Sequence, residues 1–218
     1  MKICTTTIIA LAFLAVITAS CSGTAKESKG SAQTSDGHNG TFTDSRDGKK
    51  YRTVKIGNLI WMAENLNFET GYSSCNKDED SKCAKYGRFY EWRDVKKACP
   101  AGWRVPSVED WDVLAAAVGG RREKDYFGNG NYSWKGTAIK LKSKTGWRNN
   151  RNGTDDFGFS ALPCERTGWS YGYRGFWWTS TEQGTNNAKY QEIEGDEFKR
   201  GTVTKSVEKS LRCVKGNI

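Results

Sequence analysis

Hydrophobic positions fall into three regimes along the chain. Ile8 to Ile17 is an unbroken apolar run, Ser22 to about Gly40 is almost free of apolar residues, and from Phe42 onward they return in short periodic stretches. Tyr51 to Ile56 alternates, Asp47-Gly48 precedes it as a turn signal, and Gly57-Asn58 leads into Leu59-Ile-Trp-Met62, a pattern that predicts an antiparallel ribbon. Tyr86 to Trp92 reads as a further strand. Trp92, Val95 and Cys99 then share one helical face, and Pro100 stops that helix. The clearest helix starts at Ser107 as N-cap. Glu109 and Asp110 lie in its first turn, Trp111, Leu114, Ala115 and Val118 form its buried stripe, and Gly119-Gly120 ends it. Phe176-Trp-Trp-Thr-Ser-Thr181 predicts a buried strand. Two more strands are expected, Ala188 to Ile193 and Ser210 to Val214, joined by a charged turn region whose Glu192, Glu194, Asp196 and Glu197 read as a solvated acidic face. No internal repeat is present.

Composition places this pattern in a compartment. The apolar run is too short to span a membrane; it follows the positive Met1-Lys2 and precedes the small residues Thr18-Ala19-Ser20, as in a cleavable export signal over residues 1–20. The next residue is Cys21, the position acylated in bacterial lipoprotein signals, although Thr18 stands where such signals usually carry Leu. The expectation is a lipidated N-terminus and disordered linker over 21–40, then one domain over 41–218. With 36% hydrophobic residues and nine each of Trp, Tyr and Phe, that domain can build a single core. The net charge of +9, less one when Lys2 leaves with the signal, suits an anionic partner. Export to the cell surface or outer membrane argues against nucleic acid. His38, the one histidine, falls in the linker, and the chain has no HExxH, paired CxxC or glycine-rich phosphate loop; neither cofactor nor metal is implied. Cys75 and Cys83 bracket Asn-Lys-Asp-Glu-Asp-Ser-Lys. Calcium is one reading of those acids, but the loop lacks EF-hand spacing, and a local disulfide is simpler in an exported protein.

The chain is similar to the Fibrobacter succinogenes major paralogous domain, a bacterial surface family with a C-type lectin-like fold. The likeness is carried by Gly57-Asn-Leu-Ile-Trp-Met-Ala-Glu-Asn-Leu66, Tyr86-Gly87-Arg88, Ala98-Cys-Pro-Ala-Gly-Trp-Arg-Val-Pro-Ser107, Gly158-Phe-Ser-Ala-Leu-Pro163, Phe176-Trp-Trp-Thr-Ser-Thr181 and Leu211-Arg-Cys-Val214. It spans nearly all of residues 42 to 215. The resemblance implies an α+β domain with two helices and antiparallel sheets, and a disulfide from Cys99 to Cys213. It implies long irregular loops over Arg121 to Asp156, where Tyr126, Phe127, Tyr132, Trp134 and Trp147 are scattered. Cys164, where the family usually has Gly, is left as a partly buried thiol with no task. The sugar-ligating Glu-Pro-Asn, Gln-Pro-Asp and Trp-Asn-Asp triplets of calcium-dependent lectins are absent.

Candidate chemistry then reduces to binding. Asp155-Asp156 fits a turn or a loop brace better than glycoside hydrolysis, which needs two carboxylates facing across one bond. The ligand-binding expectation rests on Trp169, Tyr171 and Tyr173, interleaved with Gly and Ser, with Arg166 and Arg174 supplying charged hydrogen bonds. Such a loop can stack on sugar faces or anchor a protein. The reading is a non-catalytic, membrane-anchored surface module for a cell-envelope or plant-wall polysaccharide. Its alternative is an adhesion protein contacting other proteins. A formylglycine-generating type of enzyme, known among lectin-like relatives, would need a cysteine pair in its site, and only Cys164 is left free.

Overall fold

The ribbon that opens the domain is built as its alternation requires. β1 (Gly40–Thr43), β2 (Lys50–Ile56) and β3 (Leu59–Met62) form an antiparallel meander in the computed structural model, which describes residues 40–76, 79–124, 132–164 and 172–216. The leader, Cys21, His38 and the linker lie outside the described residues, as do Arg166, Trp169 and Tyr171. In the turn before β2 the buried Asp44 accepts from Arg46 Nε at 2.9 Å, and Arg46 Nη2 reaches Ala98 O at 2.8 Å, tying the ribbon to the body of the domain.

A larger sheet follows: β4 (Ser73–Ser74), β5 (Phe89–Glu91), β6 (Arg121–Lys124), β7 (Tyr132–Lys135), β8 (Arg174–Gln183), β9 (Asn187–Glu194), β10 (Glu197–Thr204) and β11 (Glu208–Ser210). Its order is β4-β5-β11-β8-β9-β10-β7-β6, antiparallel except between β11 and β8. The last strand, β12 (Val214–Lys215), leaves this sheet and pairs with β3 in the small one. With helices α1 (Asp80–Tyr86), α2 (Trp92–Ala98), α3 (Val108–Ala117) and α4 (Ala138–Leu141), the class is α+β with mainly antiparallel sheets.

Core clusters lie on both faces of β8. Adjacent strand residues point opposite ways, so Trp177 enters a cluster with Trp61, Trp111, Phe159 and Phe198, while Trp178 enters another with Trp92, Val95, Tyr90 and Ala188. Both tryptophans are fully buried, which is why Phe176-Trp-Trp reads as apolar bulk and not as alternation. Helix α3 keeps its predicted stripe: Trp111, Leu114, Ala115 and Val118 are all buried, Leu114 alone contributing about 1.5–3 kcal/mol. Its N-terminus is a capping box in which Ser107 Oγ accepts from Asp110 N and the Asp110 carboxylate accepts from Ser107 N at 2.7 Å. Disulfides join Cys75 to Cys83 and Cys99 to Cys213. The second, separated by 114 residues, removes about 4–5 kcal/mol of unfolded-chain entropy and clasps the end of α2 to the segment entering β12.

The structure corrects several expectations. There are four helices among the described residues, not two: α1 begins between the paired cysteines and runs through Cys83 to Tyr86, and α4 lies in the region expected to be irregular. That region also contains β6 and β7, polar strands that gain regularity by pairing with each other and with β10. The strand expected from Tyr86 starts only at Phe89, because Tyr86 closes α1. The charged turn after β9 is a tight reversal into β10, and Ser210 to Val214 is split where Leu211–Cys213 crosses between sheets. Glu192 is buried, not solvated: it sits between Phe176 and Lys199 in the ladder, 3.8 Å from Arg174 Nε.

Burial pushes the Glu192 carboxyl above its ordinary range, despite Lys199, Arg174 and Lys209 nearby. A carboxyl raised in the fold contributes stability that is complete below its unfolded pKa, about 4.3, and lost as pH rises through the raised value. Glu192→Gln is therefore expected to melt above the wild type at pH 7. The difference should close toward about pH 4, as followed by thermal unfolding across that range.

Candidate functional site

A cleft of about 650 Å³ opens where the small ribbon, α1 and the segments around residues 143–145 and 155–162 meet. One wall is the C-terminal half of α1, held at one end by the Cys75–Cys83 bridge and at the other by Gly87. Gly87 has φ +73°, and a Cβ there would come within 2.6 Å of Asn65 Cβ and 2.8 Å of Leu66 O, so only glycine lets the chain pass this close.

The floor is organised by Asn65. Its Nδ2 donates to Tyr86 O at 2.8 Å, fixing the end of α1, and its Oδ1 accepts from Trp177 Nε1 at 2.8 Å and from Arg212 Nη2 at 3.0 Å. Arg212 is fully buried, its Nη1 donating to Phe159 O and its guanidinium lying 4.2 Å from the centre of the Phe159 ring. No carboxylate among the described residues lies within ion-pair distance of it. Burial pulls its pKa down to about 10, which leaves it charged at neutral pH. Cys164 lies beside this group with its Sγ 3.7 Å from Phe176 O. It is buried fully, not partly, and burial pushes its thiol up, away from the reactive thiolate.

The lining carries five cationic side chains against two carboxylates. Both carboxylates are engaged: Glu64 accepts from Arg52 N at 2.8 Å and Nε at 3.1 Å, and Asp155 accepts from Ser160 N and Oγ, each at 2.6 Å. Asp155 is thus a loop brace, in the left-handed region at φ +50°. Lys49 pairs with Asp47 outside the cleft. Lys50 and Lys144 are exposed and form no ion pair among the described residues, and the Lys85 ammonium stands 5.1 Å from the Tyr86 ring centre. Asn67 and Thr145 add neutral hydrogen-bonding groups, while the Ser143 hydroxyl is used within its own wall, donating to Thr145 O at 2.7 Å and accepting from Trp147 Nε1 at 3.2 Å.

Of the residues singled out in the aromatic loop, Tyr173 and Arg174 are described. Tyr173 lies under the Arg151 guanidinium, 5.9 Å from its ring centre, and neither Tyr173 nor Arg174 lines the cleft. Arg174 belongs to β8 and is committed to Glu194, with its Nε 2.7 Å from Oε1. The cleft cations escaped sequence reading because they come from segments far apart in the chain. One signal was available: Arg212 stands inside the otherwise apolar Leu211-Arg-Cys-Val214. Among the described residues, no three metal-ligating side chains cluster, and no helix is long and apolar enough to cross a membrane.

A family model described as Fibrobacter succinogenes major domain matches residues 54–215. No curated protein and no solved structure matches the chain.

Removing Asn65 tests the floor. Asn65→Ala strands the Trp177 donor and leaves the buried Arg212 without its side-chain acceptor, so a loss of about 3–5 kcal/mol is expected in denaturant unfolding. A loss below about 1 kcal/mol would show that water replaces the carboxamide and that the node is not structural.

Proposed function

The chain belongs to the Fibrobacter succinogenes major domain family, and on that footing we propose that it is a non-catalytic binding module, tethered to the bacterial surface through a lipidated Cys21, that holds a cell-envelope or plant-wall polysaccharide in its cleft. The observation that carries this reading is the open 650 Å³ cleft, whose amides, hydroxyls and cations suit a hydroxyl-rich ligand. The non-catalytic part is supported by the state of its reactive groups. The Cys164 thiol is buried and raised, and the Asp155 carboxylate is used up on Ser160. The C-type lectin-like reading of the fold is supported by α2 and α3 following the early strands, by the pairing of β3 with β12, and by the Cys99–Cys213 clasp. An adhesion protein that contacts other proteins is the alternative. Arg174, used within the sheet, weakens the aromatic loop as the main contact, which leaves Trp169 and Tyr171 as its remaining test.

Glycan-array and polysaccharide pull-down measurements on the full chain address the ligand. Ala84 is exposed on the cleft side of α1, so Ala84→Trp fills the cleft without touching the core. Binding of at least one glycan class is expected, weakened about tenfold or more, 1.4 kcal/mol, by Ala84→Trp and little changed by Trp169→Ala or Tyr171→Ala. Loss only in the loop variants would move the site to the loop, and no glycan binding at all would favour the protein-contact alternative. The tether has its own readout: Cys21→Ser should abolish fatty-acid labelling and release the protein from membranes, and retention would count against lipidation.

A further inference from the structure

The cleft is better equipped for negative charge than for a neutral sugar. A site built for neutral glycans ordinarily offers an exposed aromatic face for stacking. Here the aromatic in the lining is Tyr51, whose side chain is 3% exposed and whose hydroxyl accepts from Asn67 N at 3.0 Å. That ring is spent on the core and offers no stacking platform. What the rim presents instead is unneutralised positive charge, because the lining carboxylates already have partners within their own walls.

The three lining lysines that have no carboxylate partner among the described residues come from three walls: Lys50 from the start of β2, Lys85 from α1 and Lys144 from the segment after α4. Charges so arranged face a common space but cannot neutralise one another. Beneath them lies Arg212, separated from the cleft by Asn65, which both lines the cleft and accepts the guanidinium hydrogen bonds. A fully buried cation with no carboxylate in ion-pair distance among the described residues is screened far less by salt than a surface lysine, and its field, offset in part by Glu64 and Asp155, extends outward through its low-dielectric surroundings. The floor and the rim therefore add in the same direction.

We propose that the cleft selects acidic sugars, an oligosaccharide bearing carboxylate or sulfate groups that Lys50, Lys85 and Lys144 receive while the Asn67 side chain and the Thr145 hydroxyl hydrogen-bond the ring hydroxyls. This rests on the reading of the cleft as a polysaccharide site and adds the charge of its ligand. Affinity comes from several weak charge contacts along one oligomer, so it falls steeply with ionic strength.

The test compares oligomers of one length on the full chain by calorimetric titration: an oligogalacturonate, a sulfated oligosaccharide and a neutral cello-oligosaccharide. Either acidic oligomer is expected to bind about tenfold or more tighter than the neutral one, and to weaken between about 0.01 M and about 1 M salt. Lys50→Gln with Lys144→Gln should weaken the acidic oligomer about three- to tenfold, and Lys50→Glu with Lys144→Glu further. Both positions are exposed and form no ion pair among the described residues, so an unchanged melting temperature separates the charge effect from misfolding. Equal or tighter binding of the neutral oligomer, still blocked by Ala84→Trp, would overturn the acidic selectivity and leave the polysaccharide reading standing. Acidic binding indifferent to Ala84→Trp and to the lysine variants would remove the cleft from both.

Discussion

A buried guanidinium with no carboxylate in ion-pair distance among the described residues, and with Glu64 and Asp155 acting on it only from farther away, has to be satisfied by hydrogen-bonding dipoles, and the arrangement that satisfies Arg212 draws in most of the domain. Asn65 supplies the carboxamide oxygen, Phe159 a carbonyl and a ring face, and Trp177 shares the same oxygen from the other side. These residues come from the segment after β3, the loop before Cys164, the central strand β8 and the crossing between β11 and β12. Losing the node would leave a charge in the core with no counterion, a penalty of several kcal/mol. The same carboxamide sets the end of α1 through Tyr86 O, so the core and the cleft wall are positioned by one side chain.

That dependence explains how legible each part of the fold is. Helix α3 announces itself because its cap, its acidic first turn and its apolar stripe agree, and α2 because Trp92 and Val95 fall on one face before a proline. Helix α1 gives no such signal: Asp80–Tyr86 is short and polar, and it is held by a disulfide and by Asn65, both tertiary. Strands β6 and β10 are similarly quiet, since Arg-Arg-Glu-Lys and Glu-Phe-Lys-Arg gain their regularity from ladder partners that no local pattern announces. The burial of Glu192 is hidden in the sequence for a related reason. An acid among acids looks solvated until its strand is placed in a sheet whose Phe176, Tyr190 and Lys199 cover it.

The site followed the same division. The cysteines that pair are readable, one pair from its spacing in a chain expected to be exported and the other from the family likeness, and both form. The aromatic loop drew attention because its residues are contiguous in sequence. The cleft did not, because Lys50, Lys85 and Lys144 become neighbours only after the ribbon, α1 and the segment after α4 are assembled. What distinguishes them from ordinary surface lysines is that no carboxylate among the described residues pairs with them and that Arg212 is buried below, properties of packing and not of composition.

The central claim is that the cleft over Asn65 and Arg212 is where the protein meets its ligand. Amide chemical-shift mapping of the full chain during titration with an oligogalacturonate tests it most directly. Saturable shifts are expected at residues 49–52, 64–67, 84–87 and 143–145, with the β8–β9–β10 ladder left unmoved. Shifts confined to residues 165–173, or none at millimolar oligomer, would contradict it.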